Sequence, residues 1–190
     1  MSEQLAKDSF QIQVINFFKK YKKTIFILVL LILILLISFI FYKNNQEKNN
    51  VNIAEKYTQA SILLSQKKDI EAKIFLEDII KSNHKFYSPL ALYLIIDKKL
   101  ESEKEKIILY FDQIIKKSSL DNERKNLIKI KKALYLFSTG DENLIIDTLN
   151  PIINSQSVWK TQAISLLADY FLSKGEKLKA DEYLKLLNIK

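Results

Sequence analysis

The sequence predicts an all-α protein, in which one apolar helix near the N-terminus precedes a right-handed stack of about four helical hairpins. Three observations predict it. The 190 residues include only two glycines and two prolines, little turn chemistry for a sheet protein, whereas abundant Leu, Ile, Lys and Glu favour helices. Residues 24–42 carry no charge. Gly140-Asp141 and Gly175-Glu176 lie 35 residues apart, each between apolar-periodic segments, which is the period of stacked helical hairpins.

The uncharged segment, Thr24 to Tyr42, has 19 residues, and Ile25 to Phe41 is broken only by Ser38. As a helix it spans roughly 28 Å, close to the hydrocarbon thickness of a bilayer. A cleaved secretory signal is the rival reading, since it too places a basic region before an apolar one. The stretch is longer than a signal core, however, and Phe41-Tyr42-Lys43-Asn44-Asn45 offers no small-x-small cleavage site. A buried core helix is a poorer alternative for so long a run of Ile and Leu. The expected organisation is a cytoplasmic tail over 1–23, a transmembrane helix over 24–42 and an exported, periplasmic domain over 43–190.

Orientation rests on the flanking cations. Lys7, Lys19, Lys20, Lys22 and Lys23 precede the span, against Lys43, Lys48 and Lys56 after it. The positive-inside tendency therefore keeps the N-terminus in the cytoplasm and exports the rest, with Lys19, Lys20, Lys22 and Lys23 as topology determinants. Inverted topology, with a cytoplasmic C-terminal domain, is the alternative. Tyr21 and Tyr42 bracket the span at interfacial positions. In the tail, Leu5, Phe10, Val14, Phe17 and Phe18 recur near helical spacing; the segment either lies on a membrane surface or a partner, or simply leads into the anchor.

Composition narrows the function. Of the net charge of +8, the tail supplies +3, and the remaining cations alternate with acids, as in Lys67-Lys68-Asp69-Ile70-Glu71. That is the pattern of solvated helix faces. A nucleic-acid surface favours clustered arginine, and Arg124 is the single one. The absence of cysteine excludes a disulfide scaffold.

Equivalent turns can be placed at Lys67, Ser102, Gly140 and Gly175, in steps of 35, 38 and 35 residues. Seven residues before the turn stand Ala60, Ala133 and Ala168; four before it, Leu63, Leu136 and Phe171. Five after it stand Ala72, Ile145 and Ala180, then Leu76, Leu149 and Leu184. Small residues at these places let the helices of a hairpin approach closely, and the large ones fill the space between hairpins. The second unit departs from the register, its offsets falling on Ile95 and Lys98. Helices are expected over 50–66 and 69–81, 89–100 and 103–117, 122–139 and 141–150, and 156–173 and 176–188. Ser88-Pro89 reads as a cap followed by proline at the first helical position, and Asn150-Pro151 as a helix stop.

A short basic tail, one anchor and an exported array of tetratricopeptide-like repeats together resemble the ancillary SecYEG translocon subunit family of YfgM-like proteins. The closest local match runs from Val158-Trp159-Lys160-Thr161-Gln162-Ala163 through Lys174-Gly175-Glu176 to Ala180. It is similar to that family's tryptophan-led helix, Gly-Asp/Glu turn and Ala-containing second helix. Earlier repeats depart from the pattern, with Lys67 where glycine is usual and Lys98 at an apolar place. The resemblance implies an inner-membrane protein at the Sec translocon, whose partners are exported clients or a membrane-anchored chaperone.

Nothing in the residues points to catalysis, a metal or a cofactor. With one histidine, no cysteine and no glycine-rich loop, the usual metal clusters, Cys-His nucleophiles and phosphate cradles are missing. His84, in Lys81-Ser82-Asn83-His84-Lys85, reads as a surface turn residue. Asp141 and Glu142 open a helix, where negative charge suits the dipole, and Trp159 is expected to pack beside Pro151 and Ile152 rather than to anchor a partner.

The expected function is protein binding by a tethered scaffold. If the register holds, the concave face includes Ala54, Tyr57 and Ser61, then Leu127, Ile130 and Leu134, then Gln162, Ser165 and Asp169. A cell-envelope adaptor in division or wall synthesis, without a chaperone task, is the alternative. Self-association through the C-terminal helix, ending Leu184-Lys185-Leu186-Leu187-Asn188-Ile189-Lys190, is a further expectation.

Overall fold

The computed structural model describes residues 2–138 and 141–187, with side chains described from residue 20 onward except those of 24, 25 and 29. Gly140, the side chains of Lys19 and of the tail's apolar residues, and the last three residues of the C-terminal run thus lie outside the described residues. Among the described residues, eight helices account for the fold: α1 (Ser2–Ser65), α2 (Asp69–Lys81), α3 (Tyr87–Asp97), α4 (Lys104–Lys117), α5 (Asn122–Phe137), α6 (Glu142–Ile153), α7 (Lys160–Ser173) and α8 (Lys177–Lys185). The chain divides into two compact units, one ending at Asn52 and the other beginning at Ile53.

The first unit lies wholly within α1. Lys43 to Asn50 is polar and rich in asparagine but contains neither glycine nor proline, so no breaker ends the helix there. Every described side chain from Phe26 to Tyr42 is exposed. The apolar window is long enough to cross a membrane, and none of it is buried against protein. This exposure removes the core-helix alternative, because a core helix must bury its apolar surface. The segment is consistent with a single-pass membrane anchor.

In the second unit, the end of α1 and α2 to α8 form sequential pairs, each helix from α2 onward packing on the next and α5 also meeting α7. The small-then-large register is visible in the burial. Ala60, Ala133, Ala168, Ala72 and Ala180 are all buried, as are Leu63, Leu136, Phe171, Leu76, Ile145 and Leu149. Two apolar clusters result. One gathers Ile53 and Ala60 of α1 with residues of α2, α3 and α4 and Ile128 of α5; the other gathers Ile130, Ala133 and Leu136 of α5 with α6, α7 and Ala180 of α8. Helix α5 therefore serves both.

The helix ends explain the irregular second repeat. Lys67 has φ 60°, and the Lys68 and Lys67 amides donate to the Leu63 and Leu64 carbonyls at 3.0 and 3.0 Å. This pair of bonds is the Schellman C-cap. The same bonds run from Leu100 and Lys99 to Ile95 and Ile96, with Lys99 at φ 52°, and from Glu176 and Gly175 to Phe171 and Leu172, with Gly175 at φ 78°. The turn of the second unit is thus Lys99, not Ser102, as far as its first helix is concerned. Counted from Lys99, the two offsets fall on Leu92 and Ile95, both buried; counted from Ser102, the second-helix offsets fall on Ile107 and Phe111, also buried. Burial thus holds on both sides of a turn that is three residues longer, although Leu92 stands where the other first helices have alanine.

Two proline readings are corrected. Pro151 does not stop α6 but sits inside it. A proline in a helix costs about 3 kcal/mol, whereas burying an isoleucine gains roughly 1.5 to 3 kcal/mol, and the continued turn buries both Ile152 and Ile153. Ser88 is not the cap of α3, which begins at Tyr87. Its buried hydroxyl donates to the Ile79 carbonyl at 2.7 Å, and the capping acceptor is His84, whose Nδ1 receives the Phe86 and Tyr87 amides at 3.2 and 3.0 Å. Asp141 does cap α6, accepting from the Leu144 amide at 3.0 Å.

Two stability predictions follow from these ends. No atom lies within 4 Å of a Cβ built on Gly175, so Gly175→Ala is expected to lose about 1 kcal/mol in urea denaturation from its left-handed backbone alone, while Lys99→Gly changes stability in the opposite direction. Burial, and then Lys85, hold the His84 imidazole below its ordinary 6.5, keeping Nδ1 an acceptor. The unfolded chain then binds the proton more tightly, so this contribution is whole above pH 6.5 and is lost as pH falls through the lower folded value. Melting temperature followed down from neutral pH should show this loss, and His84→Ala should remove it along with about 1 kcal/mol of cap stability.

Candidate functional site

The residues expected on the binding face divide by helix. Tyr57 and Ser61 project from α1 near α3: the Tyr57 and Tyr87 rings stand 5.6 Å apart, and Tyr57 is half-buried against the first cluster, as is neighbouring Ala54 in its own surroundings. Ser61 is exposed and lines an open cleft of ≈ 450 Å³ with Leu64 and Ser65 of α1, Asp69 of α2, Leu94 of α3 and Lys98 just after it. On α5, Leu127 is half-buried and Leu134 is 43% exposed. Ile130 is only 4% exposed and belongs to the second core cluster, so it is a packing residue and presents no surface to a partner. On α7, Gln162 and Asp169 are exposed and Ser165 is half-buried.

Helices α5 and α7 are neighbours, which brings Leu127 and Leu134 into the same half of the domain as Gln162, Ser165 and Asp169. Tyr57 and Ser61 belong to the other half. Leu94 and Lys98 lie off the repeat register: counted back from Lys99, the offsets that give Leu127, Ile130 and Leu134 fall on Phe86, Pro89 and Tyr93. The earlier turn itself is legible in the sequence, since the apolar run of α3 ends at Ile96 and Asp97-Lys98-Lys99 follows it. Trp159 stands at the N-cap position of α7 without a side-chain capping bond and packs against the second cluster, which contains Ile152. Among the topology lysines, Lys20, Lys22 and Lys23 are exposed on α1. Among the described residues, no cluster of acidic or histidine side chains could hold a metal ion.

The most concentrated electrostatics lie in the longer α3–α4 turn. The Glu101 side chain is only 4% exposed, and its Oε2 meets Lys73 Nζ of α2 at 2.9 Å and Lys106 Nζ of α4 at 2.8 Å. Its Oε1 accepts the Ser102 and Glu103 amides at 2.9 and 3.1 Å. Lys106 also reaches Glu77 at 2.9 Å, and the Tyr110 hydroxyl donates to Glu77 at 2.8 Å. The Lys106 bond, the Glu103 amide and Lys73 together hold the Glu101 carboxyl down at about 2. Burial raises Glu77, but Lys106 and Tyr110 outweigh it and leave that carboxyl below its ordinary value. Burial and Glu77 push the Tyr110 phenol up to about 12. Every carboxylate has its cation, and neither acid is poised near neutral pH for proton transfer. The arrangement joins α2 to α4.

Removing the central charge should be expensive. Glu101→Gln leaves two ammoniums without their shared carboxylate, and a loss of about 3 kcal/mol in urea denaturation at pH 7 is expected. Since the folded value of about 2 lies below the ordinary 4.5, the parent's stabilisation is whole above pH 4.5 and is lost as pH falls towards 2. The variant should lack that acid limb in a plot of melting temperature against pH. In comparisons with known proteins, no protein-family model, no curated protein and no solved structure matches this chain.

Proposed function

We propose that this protein is a membrane-tethered scaffold for protein–protein interaction, held by the apolar part of α1 as a single-pass anchor. The carrying observation is that every described side chain from Phe26 to Tyr42 is exposed, a surface that water does not tolerate and a bilayer does. In this reading the tail is cytoplasmic, the membrane is the bacterial inner membrane, and the helix pairs form a right-handed, tetratricopeptide-like stack in the periplasm. The resemblance to YfgM-like proteins supports an ancillary role at the Sec translocon, assisting exported clients or a chaperone partner. A tether suits such a task because it raises the effective concentration of a weak binding face where clients emerge.

Leu134 and Gln162, both exposed, can report on the face. Photo-crosslinkers at these two positions in intact membranes are expected to capture translocon subunits, exported chains or a membrane-anchored chaperone. Capture of division or wall-synthesis proteins alone would favour the envelope-adaptor reading and reject the translocon. In spheroplasts the C-terminal domain should be digested by added protease, and protection would place it in the cytoplasm.

A further inference from the structure

Six described lysines are buried or half-buried: Lys56, Lys73, Lys106, Lys125, Lys129 and Lys132. Four of them have a carboxylate. Lys56 pairs with Asp78, Lys73 and Lys106 with Glu101, and Lys132 with Asp112 at 2.6 Å. Lys125 and Lys129 have none, and their ammonium groups make no hydrogen bond among the described residues. They stand one turn apart on α5, where two like charges destabilise a helix by a few tenths of a kcal/mol.

Both line an open cleft of ≈ 430 Å³ between α5, the end of α4 and the α6–α7 turn. Asn122, Lys125, Asn126 and Lys129 form one face of α5 along it, at helical spacing i, i+3, i+4 and i+7. Gln156 faces them from the α6–α7 turn, and Ile115 and Pro151 add apolar surface. One carboxylate, Glu123, shares the cleft, but its Oε2 already accepts the Ser157 hydroxyl at 2.7 Å and the Val158 amide at 3.3 Å. The lining thus carries two lysines against one carboxylate and is net positive.

We infer that this cleft binds an acidic peptide segment, with a Glu or Asp carboxylate of the ligand bridging Lys125 and Lys129. The side-chain amides of Asn122, Asn126 and Gln156 can each donate to and accept from a peptide backbone, and Ile115 and Pro151 offer contact to its apolar side chains. Such a ligand supplies the counter-charge that the other four sheltered lysines find within the chain. The inference deepens the scaffold reading and rests on it in taking the ligand to be a protein.

Fluorescence anisotropy of the full chain in detergent, with a short labelled peptide of alternating Glu and Ala, tests it. The peptide should bind in preference to its Gln counterpart. Lys125→Gln/Lys129→Gln should weaken binding about tenfold or more without lowering the melting temperature, whereas Lys116→Gln/Lys117→Gln, on the exposed end of α4, should leave affinity unchanged. No preference for Glu over Gln, equal affinity in the Lys125/Lys129 variant, a lowered melting temperature in it, or tighter binding of inorganic phosphate than of the peptide would each overturn the inference. Leu134 and Gln162 lie outside the cleft, so crosslinking there can succeed while the peptide fails. That outcome would reject the acidic ligand and leave the scaffold standing.

Discussion

Close approach between neighbouring helices, made possible by alanines at fixed places, is the constraint on which the rest of the domain depends. Ala60, Ala133 and Ala168 are buried in the first helices of three pairs, and Ala72 and Ala180 in the second helices of two. Small side chains at such points bring helix axes near enough for the large residues one turn away to fill the remaining space. Leu63, Leu136 and Phe171 occupy those neighbouring places and are buried too. The same arrangement recurs along the chain, and each helix from α2 onward packs on the next.

Repetition alone would leave the domain as loosely joined pairs, and two features tie it together. Helix α5 contributes Ile128 to one cluster and Ile130, Ala133 and Leu136 to the other, so the two cores share an element. The longer turn after α3 carries Glu101 in between Lys73 and Lys106, which adds a polar link between α2 and α4 beside the apolar one. Each carboxylate and ammonium there is paired, the condition under which buried charge is tolerated. The α3–α4 turn is longer than its counterparts, and its extra length carries this polar link.

The two sheltered lysines of α5 stand apart from this economy of paired charges. Lys132, on the same helix, is buried more deeply and has Asp112 at 2.6 Å, which shows that α5 can supply a lysine with a counter-charge where the fold needs one. Lys125 and Lys129 open instead onto a polar cleft. Surface left electrostatically incomplete in this way is the kind that a partner completes.

The sequence by itself determined the helical class, the anchor-like segment and most of the pairing. A 19-residue uncharged segment, sparse glycine and a period near 35 residues are one-dimensional properties that survive any detail of packing. It also marked the alanine register, because helical spacing converts sequence position directly into a face. Tertiary structure decided what depends on competition between distant groups. Pro151 remains in α6 because Ile152 and Ile153 are buried beyond it; His84 caps α3 because Ser88 is drawn to the Ile79 carbonyl; Lys99 takes a left-handed turn without being glycine. Ile130 passed from expected surface to core for the same reason, since α5 is covered on two sides by the clusters it joins. Periodicity names a face, but only the packed neighbours decide whether that face meets water, protein or a partner.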